Sequence, residues 1–171
     1  MTLTWIFGSI LAGGLTANTA PAQRMHVYAN ASTGSGVSLA GFGRKTLSRR
    51  SPTFLNLDTS FQLDTLPWLE LAAGIMLELE GRVGIGLLPR LRAFFRGKAR
   101  IHPYFTLGAP VFVYPYSLYG VMGGFGTTFN LTDKLQLIGE STVSAFVGGS
   151  DLADKSALAK IDFSLGFRVS F

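Results

Sequence analysis

The sequence predicts an all-β chain whose eight antiparallel strands close into an up-and-down transmembrane barrel. The first observation is the final segment, Ala159 to Phe171, where apolar residues occupy every second position up to the C-terminus. Successive side chains of a strand point to opposite faces, so this segment is a strand with one apolar face. The second observation is that the same alternation recurs at regular spacing. The third is that only 15% of the 171 residues are charged, against about 25% in an average soluble domain.

The first 22 residues have the pattern of a secretory signal peptide. An apolar run from Trp5 to Leu15 is followed by small residues and by Ala20-Pro21-Ala22, an A-x-A cleavage pattern. The run is too short for a membrane-spanning helix, which needs about 20 apolar residues. No Lys or Arg precedes it, unlike a typical signal peptide, and a short buried helix or an extra strand is the alternative. We therefore expect a barrel domain at 23–171.

The strand count comes from the alternation and from the links between alternating segments. The first strand, Met25–Ser32, is modest, and 33–50 is interpreted as a loop whose middle is a candidate extension of that strand. Seven further strands begin near residues 53, 68, 83, 101, 119, 135 and 159. The predicted short links are 64–67, 80–81, 96–100 and 132–133, and the longer ones are 33–50, 110–117 and 148–157. Apart from 80–81, short and longer links alternate, as they do between the two rims of an outer-membrane barrel.

Alternation alone leaves open which face points outward, because a soluble lipocalin-like barrel has the same period with the faces exchanged. The polar set is mostly Gly, Ser, Thr and Asn, which suit a narrow interior better than a water-facing surface. The apolar set carries no charge in mid-strand, as lipid contact requires. We therefore expect lipid outside, with aromatic girdle residues near the strand ends: Trp68, Phe95, Tyr119, Phe129 and Phe171.

Several runs in the second half carry a family resemblance. They are His102–Gly108, the glycine-rich Gly120–Gly126, Leu131–Leu135 with Glu140 beyond it, and the terminal Phe171. Together they resemble the OmpA/OmpX-type outer-membrane barrel superfamily over about residues 99–171, while 25–98 match by alternation only. The resemblance implies an eight-stranded up-and-down barrel and a role for Phe171 as a signal to the barrel-assembly machinery.

With lipid outside, ten charged residues point into the barrel and are predicted to form an interior ion-pair network. Buried charges persist only when they are paired and hydrogen-bonded. We expect the arginines of the fourth strand to face Glu70 and Glu78, and Glu140 to face Lys160 or Arg168. The ten residues are Asp58, Glu70, Glu78, Arg82, Arg90, Arg92, Glu140, Lys160, Asp162 and Arg168. The expected consequence is a plugged lumen, and the alternative is a narrow pore whose selectivity these charges set.

A basic cluster in the predicted 33–50 loop is a candidate polyanion-binding site. It comprises Arg44, Lys45, Arg49 and Arg50, which could meet the phosphates of lipopolysaccharide or a host polyanion. The alternative is a solvated loop face. Nothing in the sequence indicates nucleic-acid binding.

Catalytic and metal-binding patterns are sparse. The chain has no cysteine and two histidines, His26 and His102, neither with a convincing Ser and acid nearby. We expect no enzyme activity and no cofactor. Modification of lipid A is the alternative that enzyme activity would imply, and it ranks third, after a structural or surface role and a narrow channel.

The sequence thus predicts a monomeric protein of the outer membrane of a Gram-negative bacterium. Its expected role is structural, or surface interaction or adhesion, with outer-membrane lipids and lipopolysaccharide as partners. The alternative is a narrow, porin-like channel for ions or small solutes.

Overall fold

The structure is a computed structural model. It describes residues 24–42, 45–80, 83–95, 100–150, 152 and 156–171, without the side chains of 42, 45, 46 and 156. The predicted signal peptide at 1–22 lies outside these residues. Within them, no helix is long and apolar enough to cross a membrane.

Ten strand segments make up one antiparallel sheet that returns to its own beginning. They are β1 (Met25–Phe42), β2 (Lys45–Leu63), β3 (Leu69–Glu78), β4 (Gly84–Leu87), β5 (Arg90–Phe94), β6 (Ile101–Gly108), β7 (Val111–Tyr114), β8 (Leu118–Asn130), β9 (Leu135–Gly149) and β10 (Ser156–Ser170). β4 and β5 both pair with β3, and β6 and β7 both pair with β8, so each pair is one interrupted strand. The prediction of eight strands is confirmed.

The ring closes between the first and last strands. β1 pairs with β10 from Tyr28↔Ser170 to Phe42↔Ser156, and on its other side with β2. The terminal residue is held in the same way, because the Phe171 amide donates to the Val27 carbonyl at 3.0 Å. This closure leaves no free edge along β10, which removes the usual reason for a terminal strand to fray.

The two ends of the barrel differ in their connections. The N-terminal rim carries Met25, Phe171 and the links at 64–68, 95–100 and 131–134; the loop rim carries the links at 43–44, 79–83, 115–117 and 150–155. Of the predicted girdle residues, Tyr119 lies at the loop rim and the other four at the N-terminal rim. All five side chains are exposed, from 36% for Phe129 to 79% for Phe171.

The prediction of a loop at 33–50 is wrong, because β1 and β2 run through most of it. Glycines make the segment resemble a loop in the sequence. In the structure they lie in a strand and leave space for side chains inside the barrel. A methyl group at Gly34 would meet the Phe54 ring, and one at Gly36 would meet the Asp162 carboxylate. Small residues on this strand therefore leave room for large side chains from its neighbours.

Two other predicted links also differ from the structure. The link at 110–117 shrinks to 115–117, because β7 continues the strand after the interruption at Ala109 and Pro110. The link at 80–81 instead covers 79–83. The predicted alternation of short and longer links is therefore wrong, because the loop-rim links at 43–44 and 115–117 are shorter than those at 64–68 and 95–100 on the other rim.

Side-chain exposure follows the predicted parity. On β10, Phe163, Leu165 and Phe167 are 54–66% exposed, whereas Lys160 and Arg168 are buried. In a soluble barrel the apolar set would fill the interior. An outer surface of large apolar side chains around buried charges is the arrangement of a barrel that faces lipid.

Candidate functional site

The interior charges meet in a layer across the middle of the barrel. We call this the salt-bridge layer; it contains three guanidinium groups and three carboxylates from five strand segments. Its members are Asp58, Glu70, Arg90, Arg92, Glu140 and Arg168. Equal numbers of each sign let every charge have a partner, the condition under which buried charges are tolerated.

Glu70 and Arg92 lie opposite each other on the paired strands β3 and β5. The Arg92 Nη1 donates to Glu70 Oε1 at 2.8 Å, and the other Glu70 oxygen accepts a hydrogen bond from Arg168 Nη2. Glu70 is fully buried. It therefore bridges two cations that come from different walls of the barrel.

Asp58 and Glu140 complete the layer from β2 and β9. Arg90 Nη1 donates to Glu140 Oε1 at 2.9 Å, and Arg90 Nη2 donates to Asp58. Asp58 also lies 3.3 Å from Arg92 Nη2 and accepts a hydrogen bond from Asn30 at 2.6 Å. The two arginines of β5 thus join opposite sides of the lumen.

The predicted pairing of Glu140 with Lys160 or Arg168 is wrong. Glu140 contacts Arg90, while Lys160 reaches Glu78 on β3 and Arg168 reaches Glu70. Most pairs join strands that are not neighbours in the sheet. An eight-stranded barrel is narrow enough for long side chains to span it, and sequence spacing contains no information about which walls they join.

A second interior group lies nearer the loop rim. Lys160 donates to Glu78, which also accepts a hydrogen bond from Tyr116. The Lys160 ammonium is 5.2 Å from the Phe112 ring centroid and 5.8 Å from that of Phe146. Asp162 is buried beside this group. Arg82, the remaining predicted member, lies outside the described residues.

Apolar side chains form a buried cluster in the lumen at the loop rim, which the sequence reasoning missed. Phe112, Leu118 and Phe146 are almost fully buried and pack together, with Tyr116 and Leu158 against them. The signal was available, because these residues share the lumen-facing parity. The expectation of a uniformly small or polar interior concealed it.

Tyr104 is another contributor that the sequence reasoning did not assign to the network. Its hydroxyl donates to Glu140 Oε2 at 2.8 Å, and its side chain is fully buried. The space for its ring comes from Gly126 on β8, where a methyl group would overlap the ring. The glycine-rich run on β8 is therefore partly explained by the volume of Tyr104.

The basic cluster is divided by a bulge. The register of β1 and β2 shifts between Gly34 and Gly36, and this shift reverses the alternation on β2. Ser51 is buried and pairs with Gly36, so Arg49 has the lumen-facing parity and Arg50 the outward one. Arg44 and the side chain of Lys45 lie outside the described residues. Both described arginines are exposed, on a strand and not on the predicted loop.

The two histidines lie at the N-terminal rim. The His26 ring is 2.9 Å from Asp64 and exposed. His102 is half-buried and lines a cavity inside the rim with Thr128, Gln136 and Arg168. The two histidines thus differ in exposure: His26 is exposed at the mouth of the barrel, and His102 is half-buried inside it.

Glu80, in the link 79–83, is fixed to the β1–β2 hairpin. Thr53 Oγ1 donates to Glu80 Oε1 at 2.6 Å, and Arg50 Nη2 lies 3.5 Å from the same oxygen. The Thr53 hydrogen bond, followed by the Arg50 charge, lowers the pKa of this exposed carboxyl. A carboxyl whose pKa is lowered on folding stabilises the folded state above its ordinary pKa, and loses that contribution as the pH falls through the lowered pKa.

We expect Thr53→Val to raise the pKa of Glu80 towards its ordinary value, because the largest cause of the lowering is removed. Titration of the Glu80 carboxyl carbon by NMR in detergent measures this pKa. Ser48→Ala, a change on the same strand away from Glu80, is the control and should leave the titration unchanged. Coincident curves for Thr53→Val and the native protein would contradict the assignment.

A closed antiparallel ring with an apolar exterior and buried charges defines a small transmembrane β-barrel of the bacterial outer-membrane class. Three solved structures are similar to this chain, and the first of them supports this assignment. Neisserial surface protein A is similar with a TM-score of 0.60 and 10% identity, over 86% of this chain and 97% of that one. Two others are a de novo designed transmembrane β-barrel (TM-score 0.49, 11% identity, 83% and 95% covered) and the N-terminal β-barrel domain of Pseudomonas aeruginosa OprF (0.48, 11%, 80% and 96%).

The predicted resemblance to OmpA/OmpX-type barrels is confirmed at the level of the fold, since Neisserial surface protein A is a small outer-membrane barrel. At such low identity the similarity concerns the fold alone. No protein-family model matches the sequence, and no curated protein matches it either.

Proposed function

We propose that the protein is a closed outer-membrane barrel whose role is structural or is contact at the cell surface, with no continuous path through its lumen. The observation that carries the proposal is the salt-bridge layer. Its three arginines and three carboxylates are almost fully buried and join opposite walls.

The cavities inside the barrel support closure. A space of about 270 Å³ lies inside the N-terminal rim, bounded by Arg168. Within the layer and above it, the spaces among the described residues are about 10 and 20 Å³. A space of that size accommodates about one water molecule. Toward the loop rim, the cluster around Phe112 and Phe146 adds an apolar barrier, which opposes ion passage.

Surface contact is supported by the height of the β1–β2 hairpin. β3 pairs with β2 only over Phe54–Gln62, whereas β1 pairs with β2 as far as Lys45. The part of β2 at 45–53 therefore stands beyond β3 at the loop rim, with Arg49 and Arg50 exposed on it. Polyanion or lipopolysaccharide binding there, and the role of Phe171 in assembly, remain predictions.

Planar lipid bilayers test the closed lumen. We expect the purified native protein to give no steady single-channel steps. The double variant Glu70→Ser/Arg168→Ser removes a cation and an anion together and leaves Arg92 its contacts with Asp58 and Glu140. It also joins the cavity inside the N-terminal rim to the salt-bridge layer. The apolar cluster still lies across the lumen of that variant, so we expect conduction only when Phe112→Ser and Phe146→Ser are added to it. Steady steps from the native protein would favour the narrow channel instead.

Thr53→Ser/Arg49→Ser, outside the layer, is the matched control for the double variant and should stay silent. Heat-modifiable migration in detergent confirms that each variant has folded. Steady steps from Glu70→Ser/Arg168→Ser with Phe112 and Phe146 intact would mean that the apolar cluster does not block ions.

A further inference from the structure

The cavity inside the N-terminal rim, which we call the vestibule, is built as a binding site. It has a volume of about 270 Å³, and its lining contains both apolar and polar side chains. Its lining residues are Tyr28, Gln62, Pro67, Phe94, His102, Thr128, Gln136 and Arg168. No Asp or Glu is among them, so the fixed charge of the vestibule is the Arg168 cation.

Arg168 has hydrogen-bonding capacity that the protein does not use. Its side chain is 3% exposed, and its Nη2 donates to Glu70. Its Nε and Nη1 have no hydrogen-bond partner among the described residues. Buried donors are normally paired with protein or ligand atoms or with ordered water. Both nitrogens are buried beside the vestibule that Arg168 lines, so a shift of the side chains that cover them would open them to a ligand there.

The orientation of the Arg168 guanidinium is fixed by aromatic rings. It lies 3.7 Å from the ring centroid of Tyr28 and 5.4 Å from that of Phe94. The Tyr28 hydroxyl in turn donates to Gln62 Oε1 at 3.1 Å, and Gln62 Nε2 donates to the Pro67 carbonyl at 2.7 Å. The donors are thus held in place before any ligand arrives, which reduces the entropic cost of binding.

We infer that the vestibule binds a small organic carboxylate, with its oxygens at Arg168 and its apolar part against Phe94 and Pro67. A cation is disfavoured, because both oxygens of the nearest carboxylate, Glu70, already accept from Arg92 and Arg168. A singly charged anion is favoured over a dianion, because Glu70 already offsets part of the Arg168 charge. The inference rests on the proposed closed lumen, which makes the vestibule a dead end.

The test is titration of the refolded full chain in detergent micelles, followed by the Nε–H NMR resonance of Arg168. That resonance is assigned by its loss in Arg168→Lys. We expect sodium benzoate to shift it saturably in the millimolar range, and choline chloride at equal ionic strength to leave it unchanged. No saturable shift, or an equal response to both salts, overturns the inference. Tighter binding of inorganic phosphate than of benzoate overturns the carboxylate assignment.

Blocking variants locate the site without touching Arg168. His102→Trp fills the vestibule and should weaken benzoate binding by about tenfold or more, while Val27→Trp, on the outward face of β1 at the same rim, should not. Should His102→Trp fail to fold, Gln136→Phe fills the same space. Unchanged binding in a folded blocking variant overturns the site. Because binding is read by NMR, a conducting protein that binds benzoate would refute only the closed lumen, and a silent one that does not would refute only the vestibule site.

Discussion

Replacing Glu70 with alanine is expected to lower the free energy of unfolding by about 3–5 kcal/mol, because it leaves two buried cations without their shared partner. Arg92 Nη1 donates to one Glu70 oxygen at 2.8 Å, and Arg168 donates to the other. Arg92 keeps Asp58 as a second partner, whereas Arg168 keeps no other carboxylate among the described residues. Urea unfolding of the refolded barrel in lipid vesicles gives the free energy.

The matched control is Glu80→Ala, which removes a carboxylate of the same size from an exposed pair with Arg50. Exposed pairs contribute little to stability, so the control should unfold close to the native protein. Glu70→Gln keeps the shape and some hydrogen bonding, and should fall between the two. A Glu70→Ala protein as stable as the Glu80→Ala control would mean that the salt-bridge layer does not depend on Glu70.

Replacing Leu165 with arginine is expected to cost about 2–4 kcal/mol, because a cation would then face hydrocarbon near the middle of the bilayer. The Leu165 side chain is 66% exposed on β10. It lies six residues before Phe171, which places it about 15 Å above the N-terminal rim for a tilted strand. This is close to the midplane of an apolar band of about 25 Å.

Leu131→Arg is the control for the lipid-facing position. Leu131 is also exposed, at 47%, but it lies in a link at the N-terminal rim. Arginine near the interface costs only about 0–1 kcal/mol. The same unfolding measurement separates the two variants. Equal costs at both positions would contradict the lipid-facing assignment of the outer surface.

The strands whose two faces differ strongly could be predicted from sequence. On β10 and β3 most alternate residues are large and apolar, and the structure exposes side chains such as Leu165 and Leu71 and buries Arg168 and Glu70. The direct opposition of Glu70 and Arg92 also follows, because their strands are neighbours in chain order. In these cases the two-residue period within a strand and the adjacency of strands in the chain are enough to predict which side chains face the lumen and which of them lie opposite each other.

β1 shows where that reasoning fails. Its glycines and serines have weak strand preference, so the segment after Ser32 was expected to be a loop. It is a strand because β10 and β2 pair with it on both sides, while Phe54 and Asp162 fill the space at its glycines. Partners distant in sequence decide its conformation.

By itself, the sequence determined the eight-stranded alternation, the lipid-facing set and the charges that must lie inside, because each depends on a two-residue period or on composition. Only the tertiary structure decided how those charges pair, that apolar residues such as Phe112 pack inside the loop rim, and that Arg168 borders a vestibule. The physical reason is the narrowness of the ring. Side chains from walls far apart in the chain meet across the lumen, and no local pattern records which of them do.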